Sequence, residues 1–266
     1  MYKNLEIEQD GAVATLWLNR PQVRNAMDEF VIIELTKAIE ALERDGSVRV
    51  IILGGRGPAF CSGGDLNWMK RMAQYSDLRN QEDAMALATM LYTLRRCSKP
   101  TIARIHGAAF AGGLGLAAAC DVVVAEIDAT FCLSEVRIGL VPATIAPYVV
   151  QALGVQACKR YMLTAERLSA TDAHQLGLVH EVCQRDELDE KVLGLANQLI
   201  CGGPNALAQS KKLLDLVMNY PLDETLIQKT AHFIADIRAS NEGKEGIAAF
   251  LDKRMPSWAV LAKSAK

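Results

Sequence analysis

TIARIHGAAFAGGLGLAAACDVVVA, residues Thr101–Ala125, decides the fold class. Thr101–Ile105 and Asp121–Ala125 are short apolar runs of the kind found in strands buried on both faces. Between them, Gly107–Ala119 holds little besides Gly, Ala and Leu. Such a stretch turns sharply and then packs as a helix whose backbone lies close to its neighbours. Strand, helix-bearing connection and strand make a βαβ unit, so the fold class is α/β with parallel pairing.

Working outward, Val50–Leu53 is another buried strand, followed by a Gly-rich loop from Gly54 to Asp65 and an amphipathic helix from about Leu78 to Cys97. Asn4–Gln9 and Ala12–Leu18 alternate polar and apolar residues around Asp10–Gly11 and predict a β-hairpin. Val31, Leu35, Ile39 and Leu42 keep helical spacing in a segment from about Asp28 to Arg44. From about Val155 onward helical patterns dominate, broken by a short apolar strand at Val179–Cys183. Pro204 marks a helix start and Pro256 a helix stop. No internal repeat, low-complexity segment or long linker occurs. An α/β core over residues 1–200 and a helical region over 201–266, of the kind that mediates assembly, are expected.

The 266 residues are half hydrophobic, enough for one well-filled core. Twenty-nine basic residues face 31 acidic ones, a net charge of −2. That balance provides no global field to attract nucleic acid or an anionic membrane, and neither partner is expected. No apolar run reaches the roughly 18 residues of a spanning helix. The N-terminal MYKNLEIEQDG lacks an apolar signal core. Seven cysteines at irregular spacing form neither a CxxC pair nor a Cys/His cluster. They predict small core residues in a reducing, cytoplasmic setting, with no disulfide framework and no metal site.

Three segments carry candidate chemistry. FCSGGDL (Phe60–Leu66) follows a strand, and its adjacent glycines let backbone N–H groups approach a ligand; an ordinary strand-to-helix turn reads the same way. GAAFAGGLGL (Gly107–Leu116) turns into a helix starting near Gly112, whose free N–H groups and dipole suit an oxyanion; close helix packing also wants Gly and Ala. Gly113–Ala118 matches GxGxxA, but it lies deep in the chain. Glu126 falls well short of the ~20-residue spacing of a ribose-binding acid, so a dinucleotide fold gains little from it. In ATFCLSEVRIGLVP (Ala129–Pro142), Glu135 sits in apolar surroundings that would raise its pKa into a range useful for proton transfer. The alternative is a surface carboxylate paired with Arg137 or Lys159. His106 reads as a structural hydrogen-bonder, His174 and His180 as histidines without partners, and Trp17, Trp68 and Trp258 as packing residues.

Taken in order with LNRPQVRNAM (Leu18–Met27), LTAERLSATDAHQLGLV (Leu163–Val179) and AFLDKR (Ala249–Arg254), these segments resemble the crotonase superfamily, the enoyl-CoA hydratases and isomerases. The resemblance spans essentially the whole chain. Within the superfamily, TFCLSEVRIGLVPATIAP (Thr130–Pro147) looks most like the bacterial 3-methylglutaconyl-CoA hydratases of leucine and isovalerate breakdown. The implied fold is a crotonase-like ββα spiral with a helical C-terminal trimerisation region, assembled as a homotrimer or homohexamer.

The resemblance implies an acyl-CoA thioester substrate and no permanently bound cofactor; coenzyme A enters as part of the substrate. The backbone N–H groups of Gly64 and Gly112 would hold the thioester oxygen, and Glu135 would move the proton. Arg24 matches a position near the CoA phosphates, Ala26 one beside the pantetheine, and Ser62, Asp65 and Leu66 positions around the adenine and its linker. Gly113, Ser134, Gly139 and Thr144 match the acyl side of the site. Thr144 would reach the acyl group or position water, unless it caps the next helix. Lys253 matches a basic stretch that reaches CoA. Hydratases of this family commonly use a second glutamate where this chain has Gly115. Its absence makes hydration conditional and favours an isomerase working with Glu135 alone. A non-catalytic RNA- or CoA-binding module is the reading of another class, against which the neutral charge argues.

Overall fold

The computed structural model describes residues 2–259. The chain divides into two compact units, residues 1–97 with 101–193, and residues 98–100 with 194–266.

The first unit is built on a six-stranded sheet. Strands β1 (Leu5–Asp10) and β2 (Val13–Leu18) form the predicted antiparallel hairpin, with Gly11 at φ 57° supplying the turn. β3 (Val50–Gly55), β4 (Thr101–Ile105), β6 (Val122–Glu126) and β9 (Glu181–Cys183) then add in parallel, in the order β1-β2-β3-β4-β6-β9. β3 and β4 are buried along their whole length, which is why they read as unbroken apolar runs. Helix α1 (Glu29–Arg44) starts where Asp28 accepts hydrogen bonds from the Phe30 and Val31 N–H groups. Its stripe of Val31, Ile32, Leu35, Ala38, Ile39 and Leu42 is buried. Helices α2 (Leu66–Met72) and α3 (Asp77–Arg96) follow β3, and α1 packs against α3. α4 (Gly112–Ala119) lies between β4 and β6, as the opening stretch predicts.

Several elements escaped the sequence pattern. A second, three-stranded sheet joins β5 (Ala108–Phe110), β7 (Thr130–Cys132) and β8 (Leu168–Ser169). Strands of two or three residues are too short to show alternation. Helix α5 (Ala146–Thr164) begins before Val155, the expected onset, because Gly154 at φ 75°, ψ 159° interrupts it and splits its period. α6 (Ala170–Gln175) precedes β9. His174 and His180 do have partners. His174 Nδ1 bonds the Val179 carbonyl at 2.9 Å, and His180 Nδ1 accepts from the Val123 N–H at 3.0 Å. The two rings fix the approach to β9. Six of the seven cysteines are buried, and all seven are free thiols.

α7 (Leu188–Cys201) begins in the first unit and ends in the second, which also holds α8 (Pro204–Asn219), α9 (Glu224–Ala239) and α10 (Asn241–Leu251). Gly203, the N-cap of α8, has no side chain to offer. Glu242 of α10 supplies the cap instead, accepting from Asn205 and Ala206 N–H at 3.0 and 2.7 Å. No helix among the described residues is long and apolar enough to cross a membrane.

Candidate active site

Four separate segments of the first unit lie side by side. Cys61 pairs in parallel with Ala109: its N–H donates to the Ala108 carbonyl at 3.0 Å, and its carbonyl accepts from Phe110 at 2.9 Å. On the next flank β5 pairs with β7, placing Phe110 opposite Cys132, and the Ala111 N–H reaches the Cys132 carbonyl at 2.8 Å. On the other flank Met27 pairs with Gly64. Because the pairings are parallel, the chain leaves them at one end. Gly64 and Gly112, each three residues beyond the paired Cys61 and Ala109, emerge there, and so does Glu135, four residues beyond Phe131, the partner of Ala109.

Gly64 owes its free N–H to its neighbours. Met27 N–H donates to the Gly63 carbonyl and Asp65 N–H to the Met27 carbonyl, both at 2.8 Å. By the alternation of strand pairing, the N–H of Gly64 then points from the opposite edge, and it has no partner among the described residues. Gly63, at φ 99°, makes the required reversal. Gly112 is the first residue of α4, so its N–H lies outside the helical ladder. Ala111 before it sits at φ 48°, ψ −117°, a conformation costing on the order of 1–3 kcal/mol that persists where the surroundings impose it. α4 meets the first loop almost backbone to backbone. A Cβ on Gly113 would stand 2.5 Å from the Cys61 carbonyl oxygen.

Glu135 opens a short 3-10 turn, Glu135–Ile138, just after β7. It is half-buried, and its Oε2 is fully buried with no hydrogen-bond partner among the described residues. Burial pushes its carboxyl above the ordinary value, opposed only by a hydrogen bond from its own backbone. The alternative surface pairing is not formed among the described residues: Arg137 donates to the Thr164 carbonyl at 2.8 Å. The arrangement offers two unused N–H groups to a developing oxyanion and, at the same end of the paired segments, a carboxyl able to accept and return a proton.

Gly115 lies one turn along α4 from Gly112. A Cβ there would meet Ile145 Cγ2 at 2.2 Å and Ile145 Cβ at 2.8 Å, and Ile145 is only 2% exposed. The place from which a second carboxylate would project is therefore packed with a stiff, β-branched side chain. Gly115→Glu alone should destabilise the protein by about 1–3 kcal/mol or more. Combined with Ile145→Ala, the penalty should be smaller than the sum of the two single changes. Urea denaturation of all four proteins measures this coupling, and strict additivity would show that the two positions do not compete for space.

Residues 8–260 match the family described as enoyl-CoA hydratase/isomerase. The chain belongs to that family. It is 33% identical over 258 residues to the 2,3-dehydroadipyl-CoA hydratase of Escherichia coli, covering 96% of this chain and 98% of that one. An enoyl-CoA hydratase structure from Shewanella pealeana superposes with a TM-score of 0.94 at 39% identity, covering 97% of this chain and 96% of that one. A crotonase-type structure from Legionella pneumophila superposes with a TM-score of 0.91 at 42% identity over 96% of this chain and 98% of that one. The mixed α/β core and helical C-terminal region are those of the crotonase superfamily.

In this enoyl-CoA hydratase/isomerase family member the remaining sequence-derived positions divide by environment. Arg24 is exposed in a left-handed turn at φ 51°, with its carbonyl accepting from Ser62 N–H at 3.0 Å, while Ala26 is buried. Ser62 is half-buried, and its hydroxyl bonds the Val23 carbonyl at 3.4 Å. Leu66 is exposed. Asp65 is already committed: it caps α2 through Asn67 and Trp68 N–H and ion-pairs with Arg20. Burial opposes its ionisation, yet those backbone bonds and Arg20 outweigh it and hold the carboxyl below its ordinary value. Ser134 and Gly139 bracket the Glu135 turn, with Gly139 at φ 76° ending it. Thr144 is not a cap. Ile145 occupies the N-cap of α5, which has no side-chain cap, and the Thr144 hydroxyl bonds nothing among the described residues. Lys253 lies just past α10 in the second unit, at φ 56°.

Three supporting residues were missed from sequence. Asn25, buried at φ 56°, accepts from Arg20 N–H and donates to the Arg56 and Ala59 carbonyls, fixing the loop ahead of Cys61. Glu126 accepts from Gly107 N–H at 2.6 Å and pairs with Arg185 at 2.8 Å, anchoring the start of the Gly112 loop. Asp83 of α3 accepts from Trp68 Nε1 at 3.1 Å, and the Trp68 ring stands 3.7 Å from where a Gly64 Cβ would be. The glycine doublets flagged both loops, but no local signal marks partners so distant in sequence. Among the described residues no group of His, Cys, Asp and Glu could hold a metal ion.

Proposed function

We propose that this protein hydrates the Cα=Cβ bond of a short unsaturated acyl-CoA through a thioester enolate. The observation that carries this reading is the buried, unpartnered Oε2 of Glu135 at the same end of the paired segments as two free backbone N–H groups. The Gly64 and Gly112 N–H groups receive the thioester oxygen and stabilise the negative charge that grows on it as the enolate forms. Ionised Glu135 takes a proton from water while the water oxygen bonds to Cβ and the π electrons move onto the thioester oxygen. The enolate then collapses, and Glu135 returns that proton to Cα. Atoms and charge balance with one carboxylate, and burial, which raises its pKa, strengthens its hold on the proton it carries between the two steps.

The acyl group we propose is 3-methylglutaconyl, an assignment supported by the Thr130–Pro147 stretch. Arg24, Ala26, Ser62 and Leu66, with the backbone at Asp65, are the proposed CoA contacts of one subunit, and Lys253 is a proposed contact to the CoA of a neighbouring subunit; Gly113, Ser134, Gly139 and Thr144 are proposed to border the acyl group. A cytoplasmic homotrimer or homohexamer is the proposed working form. The free thiols fit the first part. Exposed Leu222, Phe250 and Leu251 in the helical unit fit the second.

One observation favours a second reading. Ile145 excludes a second carboxylate at Gly115, and a lone glutamate suffices for double-bond isomerisation, removing a proton from Cα of a 3-enoyl-CoA and returning it to Cγ. A panel of 2-enoyl- and 3-enoyl-CoAs in ¹⁸O-labelled water separates the two. Hydration consumes the conjugated absorbance and incorporates ¹⁸O at Cβ. Isomerisation creates that absorbance and incorporates none. Turnover of no member of the panel would sink both.

A further inference from the structure

We infer that Arg20 is a positioning residue for the Gly64 oxyanion donor, a role that rests on the proposed enolate chemistry. Arg20 follows β2, and its side chain is only 16% exposed. Nη1 donates to the Ala26 carbonyl at 2.6 Å and lies 3.2 Å from Asp28 Oδ2; Nη2 lies 3.1 Å from Asp65 Oδ2. The two carboxylates divide their work identically. Oδ1 of Asp28 caps α1 and Oδ1 of Asp65 caps α2, while each Oδ2 turns to the same guanidinium.

Their positions in the chain give this arrangement its consequence. Asp28 follows Met27, and Asp65 follows Gly64. Met27 and Gly64 are the pair whose hydrogen bonds leave the Gly64 N–H pointing out of the strand edge. One cation therefore closes a ring around that pair, binding the residue after each member and the residue before Met27. Without it, two nearly buried carboxylates, 12% and 9% exposed, would face each other uncompensated and push the Met27 and Gly64 segments apart. The side-chain contacts of Arg20 are to Ala26, Asp28 and Asp65 of the protein itself, so its effect on the thioester oxygen is relayed through Gly64. A lysine keeps the charge but cannot reproduce the planar fork that spans three acceptors.

The test uses full-length Arg20→Lys and Arg20→Met with butyryl-CoA, a saturated thioester that cannot react. Infrared difference spectra report polarisation of its bound carbonyl, and steady-state kinetics on the best enoyl-CoA of the panel report kcat and KM. The wild type should lower the carbonyl stretching frequency. Arg20→Lys should lose most of that shift and roughly 10- to 100-fold in kcat, the scale set by misplacing a group by a fraction of an ångström to one ångström. Its KM and its Kd for butyryl-CoA should stay within about threefold, because Arg24, Ser62 and Leu66, proposed CoA contacts that Arg20 does not touch, remain in place. Arg20→Met should be more severe; where it fails to fold, Arg20→Lys decides. A full carbonyl shift and full kcat in folded Arg20→Lys would overturn the proposal even if its Tm falls. A loss confined to KM would overturn it too, since it would make Arg20 a CoA contact. A wild-type complex with no carbonyl shift removes the enolate reading itself, and this proposal with it.

Discussion

Replacing Glu135 with glutamine should lower kcat by about 10²- to 10⁴-fold, the range typical of a lost general acid–base, while CoA binding persists. It should also stabilise the fold, with a definite dependence on pH. Burial raises the Glu135 carboxyl above its ordinary 4.5. As pH climbs above that value, the unfolded chain gives up this proton while the folded chain still holds it. The folded state then binds more protons, so the contribution of Glu135 to stability falls through the window from 4.5 up to its raised value. Below 4.5 both states are protonated and the penalty vanishes. The glutamine side chain of the variant does not ionise and carries no such penalty at any pH. Urea denaturation at about pH 4 and about pH 8 should therefore show the variant gaining on the wild type only at the higher pH. Equal differences at the two pH values would mean that the carboxyl is not held in a desolvated site. Retained turnover would remove it from the mechanism.

The second large effect should come from a single methyl group. In Gly113→Ala the new Cβ would stand 2.5 Å from the Cys61 carbonyl oxygen and 2.8 Å from Cys61 Cβ. That oxygen also accepts from Phe110 N–H at 2.9 Å, so it cannot move without loosening the pairing of the two loops. The overpacking should cost about 1–3 kcal/mol of stability. By separating the segments that end in Gly64 and Gly112, it should also weaken an oxyanion donor worth roughly 3 kcal/mol, or ~10²- to 10³-fold in kcat. Gly64→Ala is the matched comparison. Its Cβ would find only ordinary contacts at 3.7 Å, with Met69 and Trp68, and its N–H would survive. It should keep most of its activity. Should the two variants behave alike, the close approach at Gly113 would not be what holds the two donors in register.

The contrast between these glycines shows where sequence reading succeeds and where it stops. The glycine doublets at 63–64 and 112–113 are visible as chain features, and so are the short apolar strands at the two ends of the opening stretch. Which glycine tolerates a methyl group was not visible, because that depends on Cys61 in one case and on Met69 in the other. Gly115 stands out as a departure from the family, but that Ile145 fills the space beside it, making the departure irreversible by a single change, depends on a contact across 30 residues that the sequence does not show. Arg20 carries no mark of its own within LNRPQVRNAM because both of its carboxylate partners are set by tertiary pairing. β5 and β7, the strands that carry the site, are three residues each, below the length at which alternation can be seen. The histidines at 174 and 180 found partners through the β9 connection, which a one-dimensional reading cannot close.

The parallel alignment of the Met27, Cys61, Ala109 and Cys132 segments has a kinetic meaning as well. None of these pairings is local, and each requires a long stretch of chain to be closed before any hydrogen bond rewards it. α1 and α3 can begin to form from contacts within themselves, whereas the two N–H donors and the carboxyl become a constellation only when the last of these closures is made. On the proposed mechanism, catalytic competence requires every one of these closures. A partly unfolded chain lacking any of them, however helical, would lack the proposed oxyanion hole.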